Sequence, residues 1–201
     1  MKFLNKNFFY IFFIIFFAFL LFFYSILGII YYNKSVPFYD SYSFQLKYFS
    51  ILKDYENKGY LSSLKYILES SNTYYFILIS SLLAPILPKN PVLGLYIIFY
   101  PTYFFLFLFI IFSLTKILKD KLKVLLSIFI FLSSNFFSWT WGGIIDQRLD
   151  FLSGVLLVAF FLSFNLLLYD YENINLFFYF IISMILVLHR PIFIVYLFLF
   201  Y

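Results

Sequence analysis

Residues 8–32 read FFYIFFIIFFAFLLFFYSILGIIYY, an apolar run of 25 residues without a charged side chain. A helix of about 20 apolar residues crosses the hydrocarbon core of a bilayer. Lys2 and Lys6 precede the run. A secretory signal peptide has the same polarity, but its apolar part is shorter and ends at a small-residue cleavage site, which is missing here. The run therefore predicts an uncleaved first transmembrane helix.

The composition of the whole chain agrees with that helix. Of the 201 residues, 65% are hydrophobic and 11% are charged, whereas a soluble domain is closer to half apolar and a quarter charged. The chain has no cysteine, which excludes disulfides, thiolate catalysis and cysteine metal sites. Its net charge of +5 comes from cations beside apolar runs, which indicate topology, so no nucleic-acid partner is predicted. The sequence predicts an all-α, polytopic membrane protein whose partner is the lipid bilayer.

Further apolar runs define a single transmembrane domain over residues 1–201. The predicted spans are residues 8–32, 92–115, 124–138, 151–169 and 174–188, with an incomplete span from residue 192. The run 74–87 has only 14 residues and is interrupted by Pro85, so a re-entrant segment or short span is predicted there. Because ten residues from position 192 onward are too few to cross a bilayer, the chain is expected to be the N-terminal part of a longer membrane domain.

The loop after the first span has helical periodicity. In residues 42–55, apolar side chains such as Phe44, Tyr48 and Ile51 recur at spacings of three and four, with Lys47 on the other side. Residues 60–70 repeat the pattern after a break at Asn57-Lys58-Gly59. This spacing is typical of amphipathic helices. Two helices in the plane of the membrane interface are therefore predicted in the first outer loop.

The positive charges orient the spans. Lys2 and Lys6 place the N-terminus in the cytoplasm, and the lysines of residues 116–123 also lie there if residues 74–87 do not cross. We therefore favour the topology in which they do not cross, although it puts the acidic turn 170–172 in the cytoplasm. In this topology Asp40, the cluster 146–150 and the pair 189–190 all lie on the outer face.

Residues 141–150 read WGGIIDQRLD and place Asp146, Arg148 and Asp150 between two apolar runs. One interpretation is an internal ion pair together with a helix cap for the span that follows. The other is a carboxylate that acts as general base beside an arginine that holds an anionic group. Ionisable groups this close to hydrocarbon are costly and usually functional, which favours the second interpretation.

Two more polar positions allow a structural and a functional interpretation. Asp40 precedes the first amphipathic helix, where an aspartate favours the N-cap, and taken alone the cap interpretation is preferred. His189-Arg190-Pro191 ends a predicted span. These two cations either complement the dipole at the helix C-terminus or clamp a phosphate, and both interpretations stay open.

The order of these features resembles the GT-C glycosyltransferases, the superfamily of protein O-mannosyltransferases and lipid A aminoarabinose transferases. The stretch Arg148-Leu149-Asp150-Phe151-Leu152 is similar to the Arg-Pro-Asp-apolar stretch that opens a span in those enzymes. His189-Arg190-Pro191 stands where many members have Lys-Gly-Pro, and Asp40 stands at their first-loop acidic position. The chain departs from the family where Asp-Ser replaces Asp-Glu, and where residues 72–75 read NTYY in place of a His-Pro-Pro-Leu-like stretch.

The resemblance implies a transferase that moves a sugar from a polyprenyl-phosphate donor to a hydroxyl of a glycan, lipid or protein acceptor. The active face would be the outer face of a bacterial plasma (inner) membrane. Asp40 would be the general base, and Asp150 or Asp146 would orient the acceptor or support Asp40. Arg148, His189 and Arg190 would neutralise the departing phosphate. No cofactor is implied, and a divalent metal is compatible but not indicated.

Two alternatives from other classes remain. A multi-span transporter subunit would have polar residues near the bilayer midplane and discontinuous helices, but the middle of each predicted span is almost uniformly Phe, Leu and Ile. A non-catalytic membrane protein would use its charges only to cap helices and form ion pairs.

Overall fold

The computed structural model describes residues 6–34, 39–69, 74–133 and 149–189. In these ranges every regular element is a helix, and there is no strand. The prediction of an all-α fold is therefore confirmed for the described residues. The number of membrane crossings and the placement of the loop helices relative to a membrane stay predictions.

Eight α-helices follow one another along the described chain. They are α1 (Lys6–Lys34), α2 (Tyr39–Lys58), α3 (Tyr60–Glu69), α4 (Tyr74–Leu83), α5 (Pro91–Leu118), α6 (Lys121–Ser133), α7 (Leu149–Tyr169) and α8 (Asn173–His189). A 3-10 turn, Ala84–Ile86, extends α4. Among the described residues, three helices are long and apolar enough to cross a membrane: Phe8–Gly28, Pro91–Leu118 and Leu152–Tyr169. The incomplete span from residue 192 lies outside the described residues.

Helices α1 and α5 pack side by side and run in opposite directions. As residue numbers rise along α1, their neighbours on α5 fall. The contacts, from one end to the other, are Tyr10–Thr115, Phe17–Phe107 and Gly28–Tyr96. The side of α1 turned away from α5 carries large exposed apolar side chains, among them Phe8, Ile15 and Phe19. An apolar face of this extent suits hydrocarbon better than water.

Helices α7 and α8 form an antiparallel hairpin, and α7 also packs on α5. Phe160 of α7 lies against Tyr179 of α8, with ring centroids 5.6 Å apart. Lys119, directly after α5, lies over the ring of Tyr169 at the end of α7. Since α5 and α7 end together, they run in the same direction, opposite to α1 and α8.

The bundle therefore has two distinct ends. One, here called the lysine end, consists of residues 115–121, residues 169–172 and the start of α1. The other, here called the histidine end, contains the end of α8, the start of α7 and the side chains of Tyr75, Thr102, Ser153 and His189.

Helices α2 and α4 pack on the half of α5 that is nearer the histidine end, and α3 packs on α2 and α4. Tyr48 of α2 is fully buried and lies against Gly94 at the start of α5. Gly59 adopts φ +85° between α2 and α3, a left-handed conformation that glycine reaches without steric cost. Phe76 of α4 stacks on Phe99 of α5. The apolar face of α2 thus packs against α4 and α5.

Candidate functional site

The predicted site residues lie partly inside and partly outside the described chain. Asp146, Arg148 and Arg190 lie outside the described residues. Asp40 is the second residue of α2 and Asp150 the second residue of α7, where the structure describes the backbone.

His189, the last residue of α8, is fully buried. Its Nε2 lies 3.0 Å from the Oγ of Ser153 on α7, at hydrogen-bond distance. Its ring meets the ring of Tyr75 edge-on, with centroids 6.4 Å apart and an interplanar angle of 78°. Ser153 lies one helical turn after Asp150, so the His189–Ser153 hydrogen bond brings the start of α7 to the end of α8.

The same buried cluster extends to α4 and α5. The Tyr75 hydroxyl lies 2.5 Å from the Thr102 Oγ1. With Ser153 and His189, these side chains form what we call the histidine cluster, to which α4, α5, α7 and α8 each contribute one residue. Burial of a polar group is costly unless it forms a hydrogen bond. The two hydrogen bonds therefore align α4 with α5 and α7 with α8, and the ring contact between Tyr75 and His189 joins the two pairs.

The start of α2 lies beside this cluster. Phe44 is one helical turn after Asp40 and packs on Phe76, with ring centroids 5.7 Å apart. Phe76 follows Tyr75, which contacts His189. The backbone of Asp40, the backbone of Asp150 and the side chain of His189 thus all lie at the histidine end.

The opposite, lysine end contains exposed charges. The Lys116 Nζ lies 3.6 Å from the Asp170 Oδ2 and 3.5 Å from the Glu172 Oε2. The Lys119 ammonium lies 5.1 Å from the centre of the Tyr169 ring, and a hydrogen bond to Tyr169 raises the pKa of Lys119. These contacts explain an acidic turn on the side of the bundle that also carries the lysines, because the carboxylates face a cation.

The helices outside the predicted spans carry their own polar contacts. In α2, hydrogen bonding to Lys58 holds the pKa of Asp54 below its usual value, with smaller help from Tyr66. Burial raises the pKa of Tyr48, whose hydroxyl donates to the Pro88 carbonyl at 2.5 Å. Asp54 is thus an acidic residue of α2 that already has partners.

The described part of the chain contains no group of three or more His, Asp or Glu side chains placed to hold a metal ion. Nothing in these ranges indicates where a cofactor would bind.

Sequence reasoning did not identify Ser153 and Tyr75 as partners of His189, or Thr102 as the partner of Tyr75. The available signal was that Ser153 is the first polar residue of the predicted span 151–169, one turn after Asp150. A hydroxyl in a predicted span needs a hydrogen-bond partner within the protein, either on another helix or, as for Ser163, at a carbonyl of its own helix. That requirement predicts a buried partner without saying which residue it is.

No protein-family model matches this sequence, and comparisons with curated proteins and with solved structures gave no match. The described structure therefore defines the class by itself: an all-helical protein with three helices suited to crossing a membrane.

Proposed function

We propose that this chain is a polytopic membrane glycosyltransferase of the GT-C type, which transfers a sugar from a polyprenyl-phosphate donor to a hydroxyl acceptor. One observation carries the proposal. The starts of α2 and α7 and the end of α8, which hold Asp40, Asp150 and His189, lie at the same end of the helix bundle. An enzyme that joins these residues in one site needs that arrangement.

In the proposed reaction the acceptor hydroxyl loses its proton to the Asp40 carboxylate. Its oxygen attacks the anomeric carbon of the sugar, and the bond from that carbon to the phosphate oxygen breaks. The polyprenyl phosphate leaves with the bonding electrons on its phosphate oxygen. Arg148 and Arg190 neutralise the charge that develops on it, while Asp150 or Asp146 orients the acceptor. A phosphate leaving group needs little protonation, so one carboxylate base suffices.

For His189, the geometry favours a positioning role over direct contact with the phosphate. Its ring is buried, and its Nε2 lies within hydrogen-bond distance of Ser153. Because His189 is the last residue of α8, this contact holds the end of α8, and Arg190 is the next residue in the sequence. Supporting contacts of this kind hold a catalytic side chain within about 0.5 Å of the position that the reaction requires.

The proposed active face is the outer face of a bacterial plasma membrane. What supports this orientation is the antiparallel packing of α1 and α5. If residues 74–87 do not cross, α1 runs outward and α5 inward. The N-terminal lysines and the lysines after α5 then share the cytoplasmic side, as positive charges in short loops tend to do. The histidine end then faces outward.

The test uses membranes that contain the chain and measures release of polyprenyl phosphate from polyprenyl-phosphate mannose and polyprenyl-phosphate aminoarabinose. Asp40→Asn is expected to lower the rate at least about 100-fold, since a positioned general base contributes about 10²–10⁴-fold. Asp54→Asn is the matched control, because Asp54 is a partly exposed carboxylate of the same helix that pairs with Lys58. This control is expected to leave the rate unchanged.

Two results would argue against the proposal. Equal rates in Asp40→Asn and Asp54→Asn, at equal amounts of protein in the membrane, would show that Asp40 is not the general base. Absence of donor consumption by the unaltered chain with both donors would favour the transporter or the non-catalytic interpretation.

A further inference from the structure

A cavity of about 200 Å³ lies at the lysine end, between α1, α5 and the start of α6. Its lining includes two buried apolar side chains, Phe9 and Val124, and the side chains of Tyr10 and Thr115. The exposed residues 119–121, Lys-Asp-Lys, complete it. The cavity therefore combines an apolar floor with a cationic edge.

The two hydroxyls of the cavity wall form hydrogen bonds whose donors and acceptors can be assigned. The Thr115 hydroxyl donates to the Phe112 carbonyl at 2.8 Å. The Tyr10 hydroxyl, 2.8 Å from the Thr115 Oγ1, is therefore the donor to Thr115. This leaves the Tyr10 oxygen as an acceptor in the cavity wall, suited to a hydroxyl group on a ligand.

The charged edge favours an anion. The exposed side chains of Lys119 and Lys121 carry two positive charges at neutral pH, and the hydrogen bond to Tyr169 raises the pKa of Lys119 further. Asp120 is the one carboxylate among the lining residues, and its Oδ1 accepts a hydrogen bond from the Leu122 amide at 2.9 Å. That carboxylate caps the start of α6, so one of its oxygens is bound to the helix amide, and the two lysines outnumber it at the edge of the cavity.

The location and size of the cavity indicate a lipid head group as its ligand. It lies at the ends of α1 and α5, two helices apolar enough to cross a membrane. Basic pockets between such helices bind the head groups of anionic lipids. A volume of about 200 Å³ is small for a site that encloses a drug-sized ligand. It therefore suits a head group whose acyl chains remain in the bilayer.

We propose that this cavity binds the head group of phosphatidylglycerol, with the phosphate at Lys119 and Lys121 and a glycerol hydroxyl donating to the Tyr10 oxygen. The exposed apolar side chains of α6, Leu125 and Phe129, continue from the cavity along the helix and offer a path for an acyl chain. The proposal is independent of the glycosyltransferase function.

The test measures binding of phosphatidylglycerol to the purified full chain in phosphatidylcholine vesicles. The double substitution Lys119→Gln/Lys121→Gln is expected to weaken binding about 30-fold, on the scale of the attraction between lysines and anionic lipids. Lys123→Gln is the matched control, since Lys123 is an exposed cation of the same helix outside the cavity. It is expected to weaken binding by no more than about fivefold, the general attraction of one lysine near an anionic surface.

Tyr10→Phe tests whether the glycerol hydroxyl of the head group is recognised in addition to the charge of the phosphate. It is expected to weaken binding of phosphatidylglycerol while leaving binding of phosphatidic acid, which lacks the glycerol head group, unchanged. Three outcomes would overturn the proposal: phosphatidylglycerol that binds no better than phosphatidylcholine, Lys123→Gln that weakens binding as much as the double substitution, or inorganic phosphate that competes fully at equal concentration. The last would identify a free-anion site instead.

Discussion

The two ends of the helix bundle use polar groups in different ways. At the lysine end, Lys116 pairs with Asp170 and Glu172 through side chains that are 31%, 40% and 52% exposed. At the histidine end, the Ser153–His189 hydrogen bond joins two buried side chains. The first end is ionic and partly exposed to solvent, whereas the hydrogen bond at the second end is buried.

This difference determines which contacts define the geometry of the molecule. Exposed ion pairs contribute little, because water and salt compete with them. A buried hydrogen bond has no such competitor, and loss of one partner leaves a polar group that is costly to desolvate. We therefore expect the histidine end to be the more rigid end, which suits the proposed site there.

The largest expected effect is that of His189→Ala. The substitution removes the hydrogen bond to Ser153 and the contact with Tyr75, and it leaves a cavity between α7 and α8. By analogy with other large-to-small substitutions in cores, the free energy of unfolding should fall by about 2–4 kcal/mol. The measurement is reversible unfolding of the chain in detergent micelles.

Met184→Ala on the same helix is the matched control, because Met184 is 48% exposed. Its free energy of unfolding should change by less than about 0.5 kcal/mol. If both variants unfolded alike, the histidine cluster would not be the stabilising feature described above.

The second expected effect concerns Gly94, where α2 meets α5 on the side of the histidine end. A methyl group on Gly94 would overlap the buried ring of Tyr48. The ring would have to move and weaken its hydrogen bond to the Pro88 carbonyl. Gly94→Ala should therefore lower the free energy of unfolding by about 1–3 kcal/mol.

A double-mutant cycle with Tyr48→Ala tests the cause. In the Tyr48→Ala background the ring is gone, so Gly94→Ala should cost much less than in the unaltered chain. An equal cost in both backgrounds would mean that Gly94 acts through the backbone of α5 and not through Tyr48.

Local chemistry made part of this fold readable from the sequence. The spacing of Phe44, Tyr48 and Ile51 marks the face of α2 that is buried in the structure. The break at Asn57-Lys58-Gly59 marks the place where α2 ends and Gly59 takes a positive φ. Both features depend on neighbours within a few residues, so periodicity and glycine chemistry suffice to find them.

The contacts between distant segments were not readable in this way. Ser153 and His189 are 36 residues apart, and Lys116 and Glu172 are 56 residues apart. Their pairing depends on how α5, α7 and α8 align, and many alignments of apolar helices satisfy the same hydropathy pattern. For the candidate site, the sequence indicated His189 but not its buried partners, and Asp146, Arg148 and Arg190 lie outside the described residues.

The smallest expected effect tests the ionic end. Lys116→Gln removes the cation that faces Asp170 and Glu172, and a cycle with Glu172→Gln isolates one pair. Because all three side chains are partly exposed, the coupling free energy between Lys116 and Glu172 should be less than about 1 kcal/mol. It should shrink further in 1 M salt, where the Debye length is about 3 Å, whereas the effect of His189→Ala should persist there because no exposed charge is involved. A Lys116–Glu172 coupling that is larger and insensitive to salt would mean that the ion pair is shielded from water. The lysine end would then constrain the helix packing as strongly as the histidine end does.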